Sequence, residues 1–282
     1  MKVLVFGRTG QVAHALAQHD GVKVLDRAQA DLMQPDICAG WIARTDADAV
    51  INAAAFTAVD GAQSDADTAM MVNGTTPGAM AVAAAARDLP FVHISTDYVF
   101  DGSGVQPWQP DGAKGPLNVY GASKLAGEQA IQAAGGRFVI LRTSWVFSPE
   151  GNNFVKIMLR LSQTRDVLNI VEDQVGGPTG ADDIANACLE IARQLAINPA
   201  LAGTYHFSGG PDVSWADFAR VIFHKAGKDV QVSGIATSDY PTPAQRPLNS
   251  RLDCSSLSAF GLHRPDWGLA LTRVLHQLEE TS

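Results

Sequence analysis

Short apolar runs alternate with longer alanine-rich or amphipathic stretches through the first half of the chain. In chain order, the pattern predicts strands at residues 2–6, 22–25, 49–52, 91–95 and 138–142. Between them it predicts helices at residues 11–19, 35–44, 65–87 and 120–134. Strands that are apolar throughout and are separated by helices are typical of a parallel sheet covered on both faces. We therefore predict an α/β fold with a doubly wound parallel sheet, whose ligand binds beyond the carboxyl ends of the strands.

After about residue 148 the alternation becomes irregular. The pattern predicts a helix at 153–162, a short strand at 168–171, a glycine-rich turn at 176–180 and a helix at 182–196. An apolar segment at 205–208, a helix at 214–226, a proline-rich loop around 240–247 and a final helix near 269–279 follow. We therefore expect two domains. The first covers residues 1–150, with a helix near 180–198 that returns to it, and a smaller α+β substrate domain covers residues 151–282.

Composition and charge exclude several classes of protein. The chain of 282 residues is 46% hydrophobic and carries a net charge of -8 without a basic patch, which argues against a nucleic-acid partner. No run approaches the ~18–20 apolar residues of a membrane span, so we expect no membrane partner. Three scattered cysteines with no Cys-x-x-Cys spacing argue against a disulfide framework or a thiolate metal site. They fit the reducing environment of the cytoplasm, where we expect the protein to lie.

A glycine loop follows the first predicted strand and opens the first predicted helix. In Gly7-Arg8-Thr9-Gly10-Gln11-Val12-Ala13, Gly7 allows a tight turn and Gly10 lets the backbone approach a pyrophosphate. Ala13 permits close contact between helix and strand, and the free N–H groups at the start of the helix receive the phosphates. The loop favours a Rossmann-type dinucleotide site, although glycines are also common in ordinary strand–helix turns.

The residues after the second predicted strand bear on the choice of cofactor. Asp26 lies where an acidic residue binds the adenosine ribose, which favours NADH. Arg27 follows Asp26 directly and Arg8 lies in the glycine loop, and both are able to accept the 2'-phosphate of NADPH. Asp31 and Leu32 are expected to border the adenine. The sequence therefore predicts NADPH or NADH, and Asp26 as a solvated carboxylate is the alternative.

The residues with catalytic chemistry are Tyr120, Lys124 and Thr96. A spacing of four places Tyr120 and Lys124 on one face of a helix. A phenol with an ordinary pKa of ~10 becomes more acidic beside an ammonium group, so the pair is able to exchange a proton with a carbonyl or alcohol oxygen while hydride moves at a nicotinamide. Thr96 ends the fourth predicted strand and is placed to bind the reacting oxygen. The alternatives are an exposed helix pair and a turn-capping threonine.

Together these motifs resemble the extended short-chain dehydrogenase/reductase superfamily, and within it the family of dTDP-4-dehydrorhamnose reductases. The resemblance covers nearly the whole chain. It rests on the segments at 6–12, 52–60, 95–100, 116–128, 141–146, 151–154, 177–180 and 240–252, of which the last two are the most particular to these reductases. It implies NAD(P)H-dependent reduction of the C4 ketone of dTDP-4-dehydro-L-rhamnose to dTDP-L-rhamnose. This reaction is the last step of dTDP-rhamnose biosynthesis for cell-surface polysaccharide.

The resemblance also implies roles for individual residues. Cofactor contacts are expected at Gly7, Gly10, Gln11, Val12, Asp26, Asp31, Leu32, Ala55, Phe56, Thr57, Tyr120 and Lys124. Contacts with the nucleotide sugar are expected at Thr96, Asp97, Trp145, Asn153, Arg246 and Asn249. A guanidinium matches the geometry of a phosphate, which suits Arg246. Trp145 is expected to pack on the sugar or base, with a core position at the domain junction as the alternative.

Some members of this family form dimers linked by Mg²⁺ through glutamates. The matching positions here are Ala15, Asp182 and Gln277, so two of the three carboxylates are missing. That loss weakens a site for a hard cation that prefers oxygen ligands. We therefore expect no metal site and a monomer or homodimer.

Two other functions fit parts of the sequence. An epimerase of the same superfamily acts on nucleotide sugars, but it retains its dinucleotide through each turnover. A non-catalytic subunit is the second alternative, because the regulatory subunit of methionine adenosyltransferase belongs to similar proteins. A binding module has no need of the Tyr120–Lys124 pair, so the presence of that pair argues for an enzyme.

Overall fold

Residues 1–280 are described by the computed structural model, and they form thirteen strands and ten α-helices. The strands are β1 (Val3–Phe6), β2 (Val22–Leu25), β3 (Ala49–Asn52), β4 (Phe91–Thr96), β5 (Phe138–Thr143), β6 (Val146–Phe147), β7 (Val167–Val171), β8 (Val175–Gly176), β9 (Thr179–Gly180), β10 (Gly203–His206), β11 (Val213–Ser214), β12 (Gln231–Ile235) and β13 (Asn249–Ser250). The helices are α1 (Gln11–Leu16), α2 (Pro35–Arg44), α3 (Val59–Ser64), α4 (Ala66–Met70), α5 (Thr76–Ala85), α6 (Val119–Ala134), α7 (Phe154–Leu161), α8 (Ala181–Ile197), α9 (Trp215–Lys225) and α10 (Trp267–Glu280). Residues 281 and 282, the end of the predicted second domain, lie outside the described residues.

Six strands form one parallel sheet in the spatial order β10-β5-β4-β3-β1-β2. The predicted doubly wound α/β fold is therefore confirmed. Each of the five strands predicted for this sheet is present within one residue of its expected bounds. The strand order reverses between β1 and β3, and in such sheets ligands bind at the carboxyl side of that reversal.

The central strands are mostly apolar because helices cover both faces of the sheet. Val3 and Val5 of β1 face a layer that includes α1 and α8, whereas Leu4 and Phe6 face a layer that includes α2, α5 and α6. All four of these side chains are buried. Successive side chains of a strand point to opposite faces, so a strand covered on both sides has no position for an exposed residue.

The single helix predicted over residues 65–87 is wrong. The structure divides that segment into α4, a π-helical turn at Met71–Thr75 and α5. Pro77 in the first turn of α5 has no N–H to donate to the carbonyl four residues earlier, at Asn73, which favours a break in the α-helical pattern there. A π turn adds one residue to a helical turn and is often found at functional sites.

The second half contains three small sheets and a separate apolar core. The core packs α7, α9 and α10 around Phe147, Phe218 and Trp267. The predicted turn at 176–180 is shorter than expected, because Gly176 ends β8 and Thr179–Gly180 forms β9. β8 pairs with β11 and β13, and β9 pairs with β6. β12, which the sequence pattern missed, pairs with β7.

Two elements of the second half pack with the first. α8 lies against α1, and β10 pairs with β5 in the large sheet, although the sequence analysis did not assign this strand to it. The predicted domain boundary near residue 150 stays a prediction. No helix within residues 1–280 is both long and apolar enough to cross a membrane.

Candidate active site

The carboxyl ends of β1, β3, β4 and β5 lie at one edge of the parallel sheet, and most of the predicted site residues follow them. The glycine loop follows β1, the segment from Ala53 to Thr57 follows β3, Thr96 ends β4, and Trp145 follows β5. α6, which carries Tyr120 and Lys124, packs against β4. The fold thus brings residues that are distant in sequence to the edge at which such sheets bind ligands.

Gly7 makes the turn that starts the glycine loop. Its φ of +105° lies in the region that favours glycine, and an added Cβ would lie 3.2 Å from the backbone nitrogen of Ala54. Gly10 is exposed, with an ordinary extended backbone. Val12 and Ala13 are buried and seat α1 on the sheet. The loop is therefore shaped to leave the backbone around Gly10 open to a phosphate-bearing ligand, so its residues fit a dinucleotide.

Gln11 connects the glycine loop to the second half of the chain. Its Nε2 donates to the carbonyl of Val146 at 3.3 Å, and its Oε1 accepts from Ser148 Oγ at 3.0 Å and from Asn153 Nδ2 at 2.9 Å. Asn153 also caps α7, because its Oδ1 accepts from the backbone N–H of Lys156. A predicted cofactor residue and a predicted substrate residue thus bind each other and join the two halves.

Two ion pairs lie after β2, where the adenosine end of a dinucleotide is expected. Arg8 Nη1 is 3.7 Å from Asp26 Oδ2, and Arg27 Nε is 3.2 Å from Asp31 Oδ2. The N–H of Met33, together with Arg27, lowers the pKa of Asp31. Carboxylates that suit ribose hydroxyls and arginines that suit a 2'-phosphate are therefore present side by side.

The π turn and Thr76, the first residue of α5, anchor the loops after β2 and β3, which are expected to border the cofactor. The loop after β3 carries the predicted residues Ala55, Phe56 and Thr57. Asn73, in the π turn, accepts from the backbone N–H of Phe56 at 2.8 Å and donates to its carbonyl at 3.0 Å. It also donates to Ser123 Oγ of α6 at 3.0 Å. Thr76 Oγ1 donates to the carbonyl of Leu32 at 2.5 Å, so one helical segment fixes both loops.

α6 lies unusually close to its neighbours because glycines face them. An added Cβ on Gly121 would lie 2.2 Å from the carbonyl oxygen of Tyr98, and one on Gly127 would lie 2.1 Å from that of Asn73. Asn118 caps the helix by accepting from the N–H of Gly121 at 2.8 Å. These contacts fix the position of the helix turn that carries the predicted proton donor.

Tyr120 lies beside Thr96 and Asp97. Burial of the phenol raises the pKa of Tyr120 to about 12, a side-chain hydrogen bond with Thr96 opposes the rise, and the Asp97 carboxylate adds to it. The ring of Tyr98 meets that of Tyr120 edge to face at 5.5 Å between centroids. Tyr120 is therefore a neutral phenol at neutral pH, the form that donates a proton.

Lys124 is buried, and no ion pair within residues 1–280 includes it. Its Nζ donates to the carbonyl of Ile94 at 2.8 Å and lies 3.0 Å from His93 Nε2. Burial lowers the pKa of Lys124 to about 8, and Glu128 opposes this shift. The expected acidifying effect of Lys124 on the Tyr120 phenol stays a prediction.

Glu128, one turn after Lys124, is already paired with Arg142. Arg142 Nε and Nη2 donate to the two carboxylate oxygens at 2.8 and 2.7 Å, and both side chains are 1% exposed. Ser95 Oγ adds a hydrogen bond to the same carboxylate at 2.6 Å. A buried charge that is matched this well has little capacity left to balance a second cation.

Asp97 is a buried carboxyl directly after the proposed oxygen-binding threonine. Burial raises the pKa of Asp97 to about 6, and hydrogen bonds from Ser250 and Thr96 oppose the rise. Thr96 Oγ1 lies 3.1 Å from Asp97 Oδ1. The group therefore changes its protonation state close to neutral pH, beside Tyr120.

Trp145 has a strained backbone and a stacked side chain. Its φ of +50° is rare for a bulky residue and marks a position that the surrounding structure enforces. The Trp145 ring stacks on that of Trp215, with 3.5 Å between centroids and 10° between planes. The ring of Phe154 also packs against Trp215, at 4.6 Å between centroids. Trp145 is half-buried, so part of its stacked ring stays accessible to a ligand.

The proline-rich loop is fastened to the first half through Asp60. Arg246 donates to both carboxylate oxygens of Asp60, at 3.1 and 2.7 Å, and the N–H of Ala244 donates to the same group at 3.0 Å. Asn118 Nδ2 donates to the carbonyl of Gln245 at 2.7 Å. The guanidinium expected to bind a diphosphate therefore has a carboxylate partner in this structure.

Asn249 is buried and shapes a neighbouring loop. Its Nδ2 donates to the carbonyls of Ser103 and Gln106 at 3.2 and 2.9 Å, and its Oδ1 accepts from the Arg251 side chain at 3.0 Å. The structure therefore gives this predicted substrate residue a set of protein partners.

The residues present do not fit the family's magnesium site. Of the three matching positions, only Asp182 carries a carboxylate, and Ala15 is a buried alanine of α1. Within residues 1–280 no group of three or more His, Cys, Asp or Glu side chains is arranged to hold a metal ion. We derive no step of the reaction through a metal.

Sequence reasoning missed several residues that position the site. Asn73 and Thr76 were hidden in a segment assigned to one continuous helix. His93 is a polar residue inside an otherwise apolar strand, which is a visible signal of a buried hydrogen-bonding role. Asp60 and Trp215 gave no such signal, because each acts on a partner far away in the sequence.

Comparisons with known proteins agree along the whole chain. The family model described as the RmlD substrate binding domain matches residues 1–280. A dTDP-4-dehydrorhamnose reductase of Sinorhizobium fredii is 43% identical over 289 residues, covering 99% of this chain and 98% of that protein. The crystal structure of a dTDP-4-dehydrorhamnose reductase of Clostridium acetobutylicum has a TM-score of 0.92 and 34% identity, covering 99% of this chain and 100% of that one. The crystal structure of the dTDP-4-dehydrorhamnose reductase of Bacillus anthracis in complex with NADP has a TM-score of 0.89 and 32% identity. It covers 98% of this chain and 100% of that one.

Proposed function

Because this chain belongs to the family of the RmlD substrate binding domain, we propose that it reduces the C4 ketone of dTDP-4-dehydro-L-rhamnose to dTDP-L-rhamnose with NADPH or NADH. The observation that carries the proposal is the meeting of Thr96, Tyr120 and Lys124 at the carboxyl edge of the sheet, next to an open glycine loop. The product is the sugar donor used for cell-surface polysaccharide, and its synthesis ends with this step.

The chain's own residues supply the proton and orient the ketone. When bound, NADPH or NADH supplies the hydride that adds to the carbonyl carbon. The Thr96 hydroxyl and the Tyr120 phenol hold the ketone oxygen, and Tyr120 donates its proton to that oxygen as negative charge develops. Lys124 then lies one helix turn away from the phenolate that remains, where a cation stabilises it. The pKa of about 12 keeps Tyr120 protonated until the substrate oxygen takes the proton.

Residues of the second half bind the nucleotide sugar. We assign Trp145, on its stack with Trp215, to the apolar face of the sugar or base. Asp97 is assigned to the sugar beside Thr96. Arg246 is assigned to the diphosphate, with its Asp60 contact given up or shared on binding, since a guanidinium suits phosphate oxygens. Asn153 and Asn249 act by holding the loops that line the same region.

The setting of the reaction follows from the same assignment. We place it in the cytoplasm, and the three cysteines, all buried and free, support a reducing compartment. The nucleotide sugar is the partner that the site serves, without nucleic acid or membrane. A monomer or homodimer stays our prediction for the assembly.

Tyr120→Phe tests the proposal. It removes the proton donor, so turnover should fall by ~10²–10⁴-fold while NADPH affinity and the unfolding midpoint change little. Tyr205→Phe is a matched control, because that hydroxyl donates to the carbonyl of Leu201 at the edge strand β10. Oxidation of NADPH would be followed at the absorbance of the reduced nicotinamide with dTDP-4-dehydro-L-rhamnose. Turnover of the folded Tyr120→Phe protein close to wild type would refute the assignment.

The same assay separates a reductase from an epimerase. A reductase accumulates oxidised cofactor far in excess of enzyme, whereas an epimerase returns its dinucleotide to the starting state in each cycle. A chain that binds NADPH but oxidises none with any dTDP-4-keto-6-deoxyhexose would instead support a non-catalytic binding subunit.

A further inference from the structure

A chain of hydrogen bonds leads from the end of β3 to Lys124. The backbone N–H of Ala54 donates to Asn52 Oδ1 at 3.2 Å, which fixes the orientation of that amide. Asn52 Nδ2 therefore faces His93 Nδ1, at 3.1 Å. Asn52 and His93 are both fully buried on neighbouring strands of the sheet, so neither has water as an alternative partner.

This orientation selects one form of the imidazole. Because Asn52 Nδ2 is a donor, His93 Nδ1 must accept, and a neutral imidazole that accepts at Nδ1 carries its hydrogen on Nε2. Burial, together with the nearby Lys124, lowers the pKa of His93 well below its usual range, so the ring stays neutral. The Nε2–H then points at Lys124 Nζ, 3.0 Å away. An ammonium has no lone pair to accept that hydrogen, whereas a neutral amine does.

We propose that His93 is a positioning residue that donates to the amine of Lys124 and thereby sets the pH range in which Lys124 is a cation. The inference rests on the proposed function only in taking Lys124 as part of the reductase site. The ammonium form needs a rearranged network, in which the imidazole carries its hydrogen on Nδ1 and the Asn52 amide turns over. That rearrangement gives up the bond from Ala54, so the network stabilises the amine against the ammonium.

Among the titratable groups around Lys124, His93 is the one that we expect to determine its pKa. Glu128 of α6 favours the cation, but it is matched by Arg142 of β5. Asp97 follows β4 and acts on Tyr120, the remaining titratable group on this face of α6. Burial lowers the pKa of Lys124 to about 8, and a hydrogen bond donated to the amine acts in the same direction.

The direct test is the pKa of Lys124 in His93→Gln. A glutamine carbonyl is able to accept from the ammonium, so the pKa of Lys124 should rise by about one unit, a size typical of a changed hydrogen bond at a buried site. Lysine labelled with ¹³C at Cε reports the titration by NMR, and the Lys124 resonance is identified by its absence in Lys124→Met. Ser95→Ala is the matched control, because Ser95 lies on the same face of β4 and binds Glu128 instead.

A second variant guards against a folding defect in the first. Asn52→Ala frees His93 Nδ1 to carry the hydrogen, so Nε2 is able to accept and the pKa of Lys124 should again rise. We expect kcat/KM to fall at alkaline pH, where Lys124 loses its charge. In both variants this fall should move to higher pH by the same amount as the pKa of Lys124, and in Ser95→Ala it should stay at the wild-type pH. An unchanged Lys124 titration in the folded His93 and Asn52 variants would overturn the inference. Because the NMR titration needs no substrate, its outcome is independent of whether the protein reduces dTDP-4-dehydro-L-rhamnose.

Discussion

Replacing Gly121 with alanine tests whether the closeness of α6 to its neighbours determines catalysis. Gly121 follows Tyr120 directly, and it has room for a hydrogen only, because a Cβ would lie 2.2 Å from the carbonyl oxygen of Tyr98 and 3.0 Å from Cβ of Pro116. Both obstacles are parts of the chain that cannot rotate away. The added methyl group must therefore displace the start of α6 or the turn that contains Tyr98.

The size of the effect follows from that overlap. Relieving it requires a shift of about 1 Å, and overpacking of this kind costs roughly 1–3 kcal/mol. The higher helix propensity of alanine offsets this loss in the free energy of unfolding by up to ~1 kcal/mol. We expect a net loss of about 1–2 kcal/mol in the free energy of unfolding, which lowers Tm by roughly 2–8 °C for a chain of this size. Misplacing Tyr120 by about 1 Å should lower kcat by on the order of 10²-fold.

Thermal unfolding and steady-state turnover with NADPH measure the two effects separately. Gly40→Ala is the matched control, since Gly40 also lies inside a helix and the nearest atoms to its Cβ would be the mobile guanidinium end of Arg44, at 3.1 Å. That variant should gain stability by up to ~1 kcal/mol and keep its kcat. If Gly121→Ala behaved like Gly40→Ala in both measurements, the claim that close packing positions Tyr120 would be refuted.

Two further predictions concern buried charges. Arg142→Met should lower the free energy of unfolding by ~3–5 kcal/mol, because Glu128 is left buried without its partner. In urea titrations, the double variant Arg142→Met/Glu128→Leu should recover most of that loss. A double variant as unstable as Arg142→Met would contradict the ion-pair explanation. Asp97→Asn should stabilise the protein at pH 7.5 by on the order of 2–3 kcal/mol and give no gain near pH 4. The folded protein keeps the Asp97 proton up to about pH 6, whereas the unfolded chain loses it near pH 4. Asp97 therefore lowers the stability of the protein as the pH rises from about 4 to about 6, and asparagine removes that loss. Equal gains in stability at both pH values would contradict this explanation.

Local pattern predicted the framework well because the framework is a local property. A strand covered on both faces is largely apolar, and the predicted bounds of β2, β3 and α2 match the structure. The glycine loop and the spacing of Tyr120 and Lys124 are likewise contained within a few residues. Each of these features is specified by backbone geometry that a short segment carries by itself.

The remaining features depend on partners that a local pattern cannot identify. Asp60 meets Arg246 across 186 positions of the chain, and Trp145, which follows β5, meets Trp215 at the start of α9. His93 looked like one polar residue in an apolar strand until the structure placed it against Lys124. Such pairs are decided by tertiary packing, so periodicity predicts where the strands and helices lie and leaves these contacts open.

The π turn at Met71–Thr75 has a consequence for the lengths that this chain tolerates. Because a π turn holds one residue more than an α-helical turn, removing one residue from it would restore a regular α-helix and leave α4 and α5 in place. Deleting Asn73 would remove its bonds to Phe56 and Ser123 and leave Thr76 bound to Leu32. Insertions and deletions are ordinarily absorbed by exposed loops. Here a single codon lost from a helix would release the loop after β3 without unfolding the helix itself.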